Sequence, residues 1–137
     1  MTVNAFLEQL KNDPAFMANV SCIRTLPANE ARYADFPEEL DERVCEVLRA
    51  RGINRLYSHQ REALDMALAG KDFVVVTPTA SGKTLCYNLP VLSSILKDDA
   101  SRALYLFPTK ALSSDQVAEL YSMIEALGAD IKAFTYD

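Results

Sequence analysis

Residues 73–84 read F-V-V-V-T-P-T-A-S-G-K-T, and this stretch decides the fold. The apolar run at 73–76 predicts a buried strand, and the amphipathic stretch at 85–96 predicts a helix. A Gly-Lys-Thr between a strand and a helix is typical of a phosphate-binding loop. The pattern departs at Thr77, where the general motif has glycine. An ordinary strand-turn-helix with a surface lysine remains the alternative interpretation.

The side chains of this loop suit a nucleotide with magnesium. Gly82 has no Cβ to block the close approach of a phosphate oxygen. Lys83 would place its ammonium against the outer phosphates. The hydroxyl of Thr84 is a hard oxygen ligand for a Mg²⁺ ion that bridges them. The sequence therefore predicts a nucleotide-binding loop.

Composition narrows the class of protein. The chain has 137 residues, which is the length of one domain, and its 14 basic and 19 acidic side chains give a net charge of −5. Its overall field would repel nucleic acid, so any such contact must be local. Three scattered cysteines and one histidine do not form a zinc motif. No leader or long apolar run is evident, which predicts a soluble cytoplasmic protein.

The remaining pattern predicts an α/β fold preceded by helices. Helical spacing at 3–10 and around 16–17 is followed by an irregular connector at 21–37, and further helices are predicted at 38–51 and from Ser58 to Gly70. Strands are then predicted to alternate with helices. The predicted strands are 72–77, 102–107 and 130–135, and the predicted helices are 82–96 and 109–127. Such alternation indicates a parallel sheet covered on both faces.

A second candidate site follows the second predicted strand, at Pro108-Thr109-Lys110. Ligands of parallel sheets bind beyond the carboxyl ends of the strands, so this loop would share an edge with the phosphate loop. A hydroxyl, helix-start N–H groups and a lysine suit a nucleic-acid phosphate held without regard to sequence. Taken alone, these residues are better explained as an ordinary helix start.

Three residues near the start of the 58–70 helix are further candidates. The amide of Gln60 could pair with N6 and N7 of adenine, although an isolated glutamine is usually solvent-facing. Tyr57 could stack on a base, but a partly buried anchor is the simpler interpretation. His59 is better interpreted as a surface residue than as a ligand or catalytic base.

Taken in order, these motifs closely resemble the first RecA-like domain of superfamily 2 helicases of the DEAD/DEAH-box type. L-Y-S-H-Q, ending at Gln60, matches the Q motif of that family, T-P-T-A-S-G-K-T matches motif I, and P-T-K-A-L-S-S-D-Q matches motif Ia. The amino-acid sequence of these motifs is most similar to that of the YprA/MrfA and Hrq group of DNA-repair helicases. The resemblance covers residues 36–137, which leaves 1–35 as an N-terminal helical extension and connector.

The resemblance implies roles for particular residues. It implies that Gln60 reads adenine with Tyr57 beside it, and that Lys83 and Thr84 take part in catalysis, Thr84 as the magnesium ligand. Nucleic acid, single-stranded or tailed DNA more than RNA, would be held by Pro108, Thr109 and Lys110. The residues that would hold ATP in the loop are Thr79, Ala80, Ser81, Gly82, Lys83 and Thr84.

The resemblance also implies what the chain needs for activity. No Asp-Glu-x-His or Asp-Glu-Ala-Asp box and no second RecA-like domain follow, so the chain is expected to bind nucleotide weakly without hydrolysing it. An incomplete sheet predicts self-association through its edge. A small P-loop kinase and a non-catalytic P-loop interaction module remain the alternatives.

Overall fold

The computed structural model describes residues 2–27, 30–78 and 81–136. Contacts divide the chain into two compact units, Met1–Glu30 and Ala31–Asp137. Within the described residues, no helix has both the length and the apolar character needed to cross a membrane.

The described part of the first unit contains two short helices, α1 (Val3–Lys11) and α2 (Pro14–Met17). The Thr2 side chain accepts the N–H of Ala5 at the start of α1. The Asp13 carboxylate accepts two N–H groups at the start of α2. Both helices thus begin at a side-chain cap.

The second unit contains four helices and a two-stranded sheet among its described residues. Strand β1 (Tyr33–Ala34) pairs antiparallel with strand β2 (Leu56–Tyr57), so that Tyr33 lies opposite Tyr57. The elements are β1 (Tyr33–Ala34), α3 (Glu42–Ala50), β2 (Leu56–Tyr57), α4 (Ser58–Leu68), α5 (Lys83–Lys97) and α6 (Lys110–Leu127).

Helix α3 begins later than its apolar pattern predicts. The Asp41 carboxylate accepts the N–H of Arg43 at 3.0 Å, so the helix starts at Glu42 and not at residue 38. The Arg43 side chain also donates to Asp41 and holds the pKa of that carboxyl below its ordinary value. A side-chain cap therefore sets this boundary.

The core of the second unit lies between its helices. Helix α4 packs against α5, and α3 packs against both α5 and α6. Burying a leucine or methionine side chain fully stabilises the fold by about 1.5–3 kcal/mol. The fully buried apolar side chains at the centre include Leu48, Leu64, Leu89, Leu92 and Met123.

The predicted parallel sheet is not found among the described residues. The segments 72–77, 102–107 and 130–135 contain no strand there. Half-buried and exposed side chains alternate at 72–77, 104–107 and 130–134, and Val76 and Leu104 are 88% and 85% exposed. The alternation has a strand's period of two, but periodicity does not determine which backbone supplies the hydrogen-bonding partner.

A cavity of about 1040 Å³ lies between α5, α6 and the segments 102–107 and 129–136. Inside it, the Tyr105 hydroxyl donates to Oδ1 of Asn88 at 3.0 Å. Burial of the hydroxyl, and to a smaller extent the nearby Tyr87, raises the pKa of Tyr105 to about 12. The helices thus cover one side of these segments and leave room beside them.

Candidate nucleotide-binding site

The loop that leads into α5 turns at Gly82, whose φ is +72°. A Cβ at this position would lie 2.6 Å from Nε2 of Gln60. The left-handed backbone would be strained by any residue with a Cβ, and the Gln60 amide would have to shift to make room for that atom. A helix start of this kind presents backbone N–H groups and the positive end of the helix dipole to an anion.

The ammonium of Lys83 lies inside the loop. It donates to the carbonyls of Thr77 and Pro78 at 3.0 Å and 2.8 Å. It also lies 3.2 Å from the Thr77 hydroxyl and 3.3 Å from the Ser81 hydroxyl. The positive charge is therefore surrounded by neutral oxygens of the loop, in the place where phosphate oxygens could replace them.

Thr77, the departure from the general motif, is part of this network. Its hydroxyl is 2.6 Å from the hydroxyl of Ser81, so the two ends of the loop are hydrogen-bonded to each other. Glycine could not make this bond. Thr79 and Ala80, which the sequence also assigns to the loop, lie outside the described residues.

Gln60 lies directly behind the loop and is 3% exposed. Its Oε1 accepts the N–H of Tyr57 at 2.9 Å, and its Nε2 donates to the carbonyl of Gly82 at 2.8 Å. The expectation that an isolated glutamine faces solvent therefore fails at this position. The amide connects the start of α4 to the phosphate loop.

An aromatic stack lies beside Gln60. The ring of Tyr57 stacks on Tyr33 at 5.1 Å between centroids and on His59 at 5.7 Å. His59 is half-buried, and its Nε2 lies 2.9 Å from the carbonyl of Ser81. Protonated Nε2 can donate to that carbonyl, so His59 supports the loop and is not a simple surface residue.

The hydroxyl of Thr84, the predicted magnesium ligand, faces helix α6. It donates to Oε1 of Gln116 at 3.0 Å. The hydroxyl of Tyr87 donates to the same oxygen. Within the described residues no three His, Cys, Asp or Glu side chains are grouped to hold a metal. A Mg²⁺ ion bound here would therefore rely on the Thr84 hydroxyl, phosphate oxygens and water, a donor set that suits it.

Pro108, Thr109 and Lys110 lie at the exposed start of α6. The Thr109 hydroxyl oxygen accepts the N–H of Leu112 at 3.3 Å, so Thr109 caps the helix and still has its own proton to donate. Further along α6, Gln116 contacts Thr84, so the same helix links Pro108–Lys110 to the end of the phosphate loop.

The structure brings together most of the predicted loop residues and adds others. Gln60, Ser81, Gly82 and Lys83 are linked by the contacts described above. Sequence reasoning did not assign a role to Gln116, although it lies inside the P-T-K-A-L-S-S-D-Q stretch. Tyr33 and Tyr87 were also missed, and no spacing signal connects them to the loop.

A family model and curated relatives identify the same family for this chain. Residues 57–137 match the family described as DEAD/DEAH box helicase. The chain is 51% identical over 131 residues to a protein named uncharacterized ATP-dependent helicase YprA, from Bacillus subtilis, covering 96% of this chain and 18% of that protein. It is 30% identical to the ATP-dependent helicase hrq1 of Schizosaccharomyces pombe, covering 99% of this chain and 13% of that protein.

Comparison with solved structures also identifies helicases as similar to this chain. The crystal structure described as DUF1998 helicase MrfA bound to DNA and AMPPNP matches 99% of this chain with a TM-score of 0.85 and 48% identity. This chain covers 19% of that one. The chain thus spans less than a fifth of the length of these relatives. The resemblance to the first RecA-like domain of such helicases is confirmed.

Proposed function

Because the chain belongs to the DEAD/DEAH box helicase family, we propose that it is the ATP-binding part of an ATP-dependent helicase. The observation that carries this proposal is the Lys83 ammonium, surrounded by four oxygens of the loop that leads into α5. Phosphate oxygens are stronger acceptors for an ammonium than neutral carbonyls and hydroxyls, so ATP can displace these contacts. The bound phosphates would then lie at the start of α5.

The adenine base belongs beside Gln60 and Tyr57 in this proposal. A glutamine amide has two donor and two acceptor positions, and the bonds to Tyr57 and Gly82 use one of each. The other two can pair with N6 and N7 of adenine. Because Gln60 is buried, the base must displace part of its cover, and Tyr57 would offer an aromatic surface for stacking.

Magnesium would bind at Thr84. The hydroxyl lies in the first turn of α5, next to Lys83, and would offer the ion an oxygen ligand beside the phosphates. Bound Mg²⁺ would supply positive charge that neutralises the phosphate oxygens. Thr79 and Ala80 belong to the same proposed phosphate site by their position in the sequence.

Nucleic acid would contact the start of α6, at Pro108, Thr109 and Lys110. The free proton of the Thr109 hydroxyl and the helix-start N–H groups suit a phosphate of the backbone. A DNA-bound structure exists for MrfA, which supports DNA over RNA as the nucleic acid. Because its net charge is −5, the chain should contact nucleic acid only locally. Single-stranded or tailed DNA is the nucleic acid that we propose.

Hydrolysis is proposed as an activity of the whole helicase. Lys83 would bind the phosphates, and Thr84 would ligate the magnesium ion. Phosphoryl transfer also requires a residue that orients the attacking water and cations that stabilise the developing charge. We expect this chain by itself to bind ATP weakly and not to hydrolyse it at a useful rate.

The segments 72–77, 102–107 and 130–135 are proposed strands of the RecA-like parallel sheet. Alternating burial along most of each segment supports that assignment, as does the cavity beside 102–107 and 130–135. In the isolated chain, their exposed apolar side chains favour pairing with a second copy. Self-association of the chain through this edge is therefore part of the proposal.

A binding titration tests the phosphate site. Fluorescent ATP with Mg²⁺ is titrated into the wild-type chain, Lys83→Ala and Lys71→Ala. Lys71 is an exposed lysine just before the 72–77 segment. Because each variant removes one lysine, Lys71→Ala and Lys83→Ala have the same net charge. A hydrogen bond to a charged group contributes about 1.5–3 kcal/mol, so Lys83→Ala should weaken binding by roughly ten- to a hundredfold.

The control should bind within about twofold of the wild type, since exposed charges contribute little. Equal binding by wild type and Lys83→Ala would reject the loop as the phosphate site. No binding by the wild type would favour a non-catalytic interaction module that keeps the fold for its shape.

A further inference from the structure

Gln116 connects the predicted magnesium ligand to a different helix. Its side-chain carbonyl oxygen, Oε1, accepts the Thr84 hydroxyl at 3.0 Å and also accepts the Tyr87 hydroxyl. Thr84 and Tyr87 lie in the first turns of α5, and Gln116 lies in the second turn of α6. All three side chains are partly buried.

The direction of the Thr84 proton matters for metal binding. A hydroxyl that ligates Mg²⁺ must offer a lone pair to the ion and point its proton elsewhere. An acceptor fixed beside the hydroxyl takes that proton and so sets the orientation of the lone pairs. Groups that orient a metal ligand in this way commonly affect metal affinity by ten- to a hundredfold.

We propose that Gln116 is a positioning residue for Mg²⁺: it accepts the Thr84 proton and so turns the Thr84 lone pairs toward the metal. The inference rests on the proposed function, because it assumes that the loop binds a magnesium nucleotide. Gln116 itself does not touch the ion. It acts through Thr84, and the Tyr87 hydroxyl holds the amide in place by donating to the same oxygen.

The position of Gln116 is set by packing remote from the loop. Further along α6, Met123 and Ile124 are buried in the core. Arg51 of α3 donates to Glu119 at 2.6 Å and to Ser122 at 2.7 Å. The acceptor for Thr84 is therefore attached to a helix that is fixed independently of the phosphate loop. Such support from a rigid element is what a well-oriented ligand requires.

A magnesium titration tests the assignment. A fluorescent, non-hydrolysable ATP analogue is bound in EDTA, and Mg²⁺ is then added to find the concentration at half-effect. Gln116→Met removes the acceptor and keeps the length of the side chain. This variant should raise the Mg²⁺ midpoint about tenfold or more, while affinity for the analogue in EDTA stays within about twofold.

Conservative variants separate positioning from a merely structural role. Gln116→Glu keeps an oxygen acceptor for both hydroxyls, so its Mg²⁺ midpoint should stay within about threefold of the wild type. Gln116→Asn keeps the amide but is one methylene too short, so it should behave like Gln116→Met and replaces it if that variant unfolds. Ser114→Ala, at an exposed site on the same helix, is the matched control.

Two results with the variants would overturn the inference. One is an unchanged Mg²⁺ midpoint in Gln116→Met or Gln116→Asn. The other is equal loss in Gln116→Glu and Gln116→Met, which would indicate packing alone. If the wild-type chain does not bind the analogue at all, the proposed function fails first and the inference falls with it. If it binds the analogue without any response to Mg²⁺, the inference and the proposed magnesium site at Thr84 are overturned, whereas the proposed nucleotide site stands.

Discussion

Gln60 and Gly82 are joined by a hydrogen bond in which the side-chain Nε2 donates to the loop carbonyl at 2.8 Å. Gln60→Glu would place a carboxylate oxygen against that carbonyl and leave the acceptor without a donor. An unsatisfied buried polar group costs about 1–3 kcal/mol, so the free energy of unfolding should fall by about that amount at neutral pH. Urea denaturation followed by circular dichroism measures it.

The control for this change is Gln9→Glu, which alters an exposed glutamine of α1 by the same chemistry. Its free energy of unfolding should differ from the wild type by less than about 0.5 kcal/mol. Equal stability of Gln60→Glu and Gln9→Glu would mean that the Gly82 contact does not hold the loop.

Thr77→Val should tighten nucleotide binding. The Thr77 hydroxyl contacts Lys83 and Ser81 within the loop, and nucleotide must displace the Lys83 contact. Valine keeps the shape and removes the hydroxyl, so the empty state loses about 0.5–1.5 kcal/mol of hydrogen bonding. We expect about two- to tenfold tighter ATP binding by isothermal titration, and no change in the exposed control Thr135→Val. Weaker binding by Thr77→Val would instead mean that the hydroxyl contacts the nucleotide.

The helices could be predicted from the sequence because their signals are local. The predicted helices 82–96 and 109–127 are found as Lys83–Lys97 and Lys110–Leu127. Gly82 and Thr109 mark their starts by conformation and by side-chain capping. The start of α3 was misplaced because acidic residues before it resemble a first helical turn, whereas Asp41 is the residue that caps it.

The contacts of the site could be predicted only in part. The loop residues lie within a few positions of one another, so the motif predicts that they lie close together. The partners of Gln60 and Thr84 come from other elements, 22 and 32 residues away. Sheet pairing is also non-local, and the apolar pattern of 102–107 predicts burial without identifying the neighbouring strand. Contacts between residues that are far apart in the sequence depend on how the helices pack, and local sequence patterns do not specify that packing.

The three cysteines should differ in reactivity. Cys22 is exposed, whereas Cys45 and Cys86 are buried and burial raises the pKa of both thiols. A raised pKa lowers the thiolate fraction, and only the thiolate is alkylated. At pH 8, brief iodoacetamide treatment should label Cys22 alone, and labelling of the buried pair should increase as the pH rises. Mass spectrometry of the native and urea-unfolded chain measures this.

The control for the labelling is Cys22→Ser, which should leave the native chain unlabelled at pH 8. All remaining thiols should react once urea exposes them. Rapid labelling of Cys86 in the folded chain would contradict its burial at the start of α5.

Self-association should depend on the exposed apolar edge. Leu104 and Leu106 are 85% and 83% exposed on a segment without a strand partner among the described residues. Replacing both by lysine places charge on that edge, which opposes pairing between copies. Light scattering over a concentration series should show a wild-type mass that rises above the monomer and a double variant that stays monomeric. Leu26→Lys, at a leucine that is 84% exposed in the first unit, should behave like the wild type. A wild-type chain that is monomeric at every concentration would reject association through this edge.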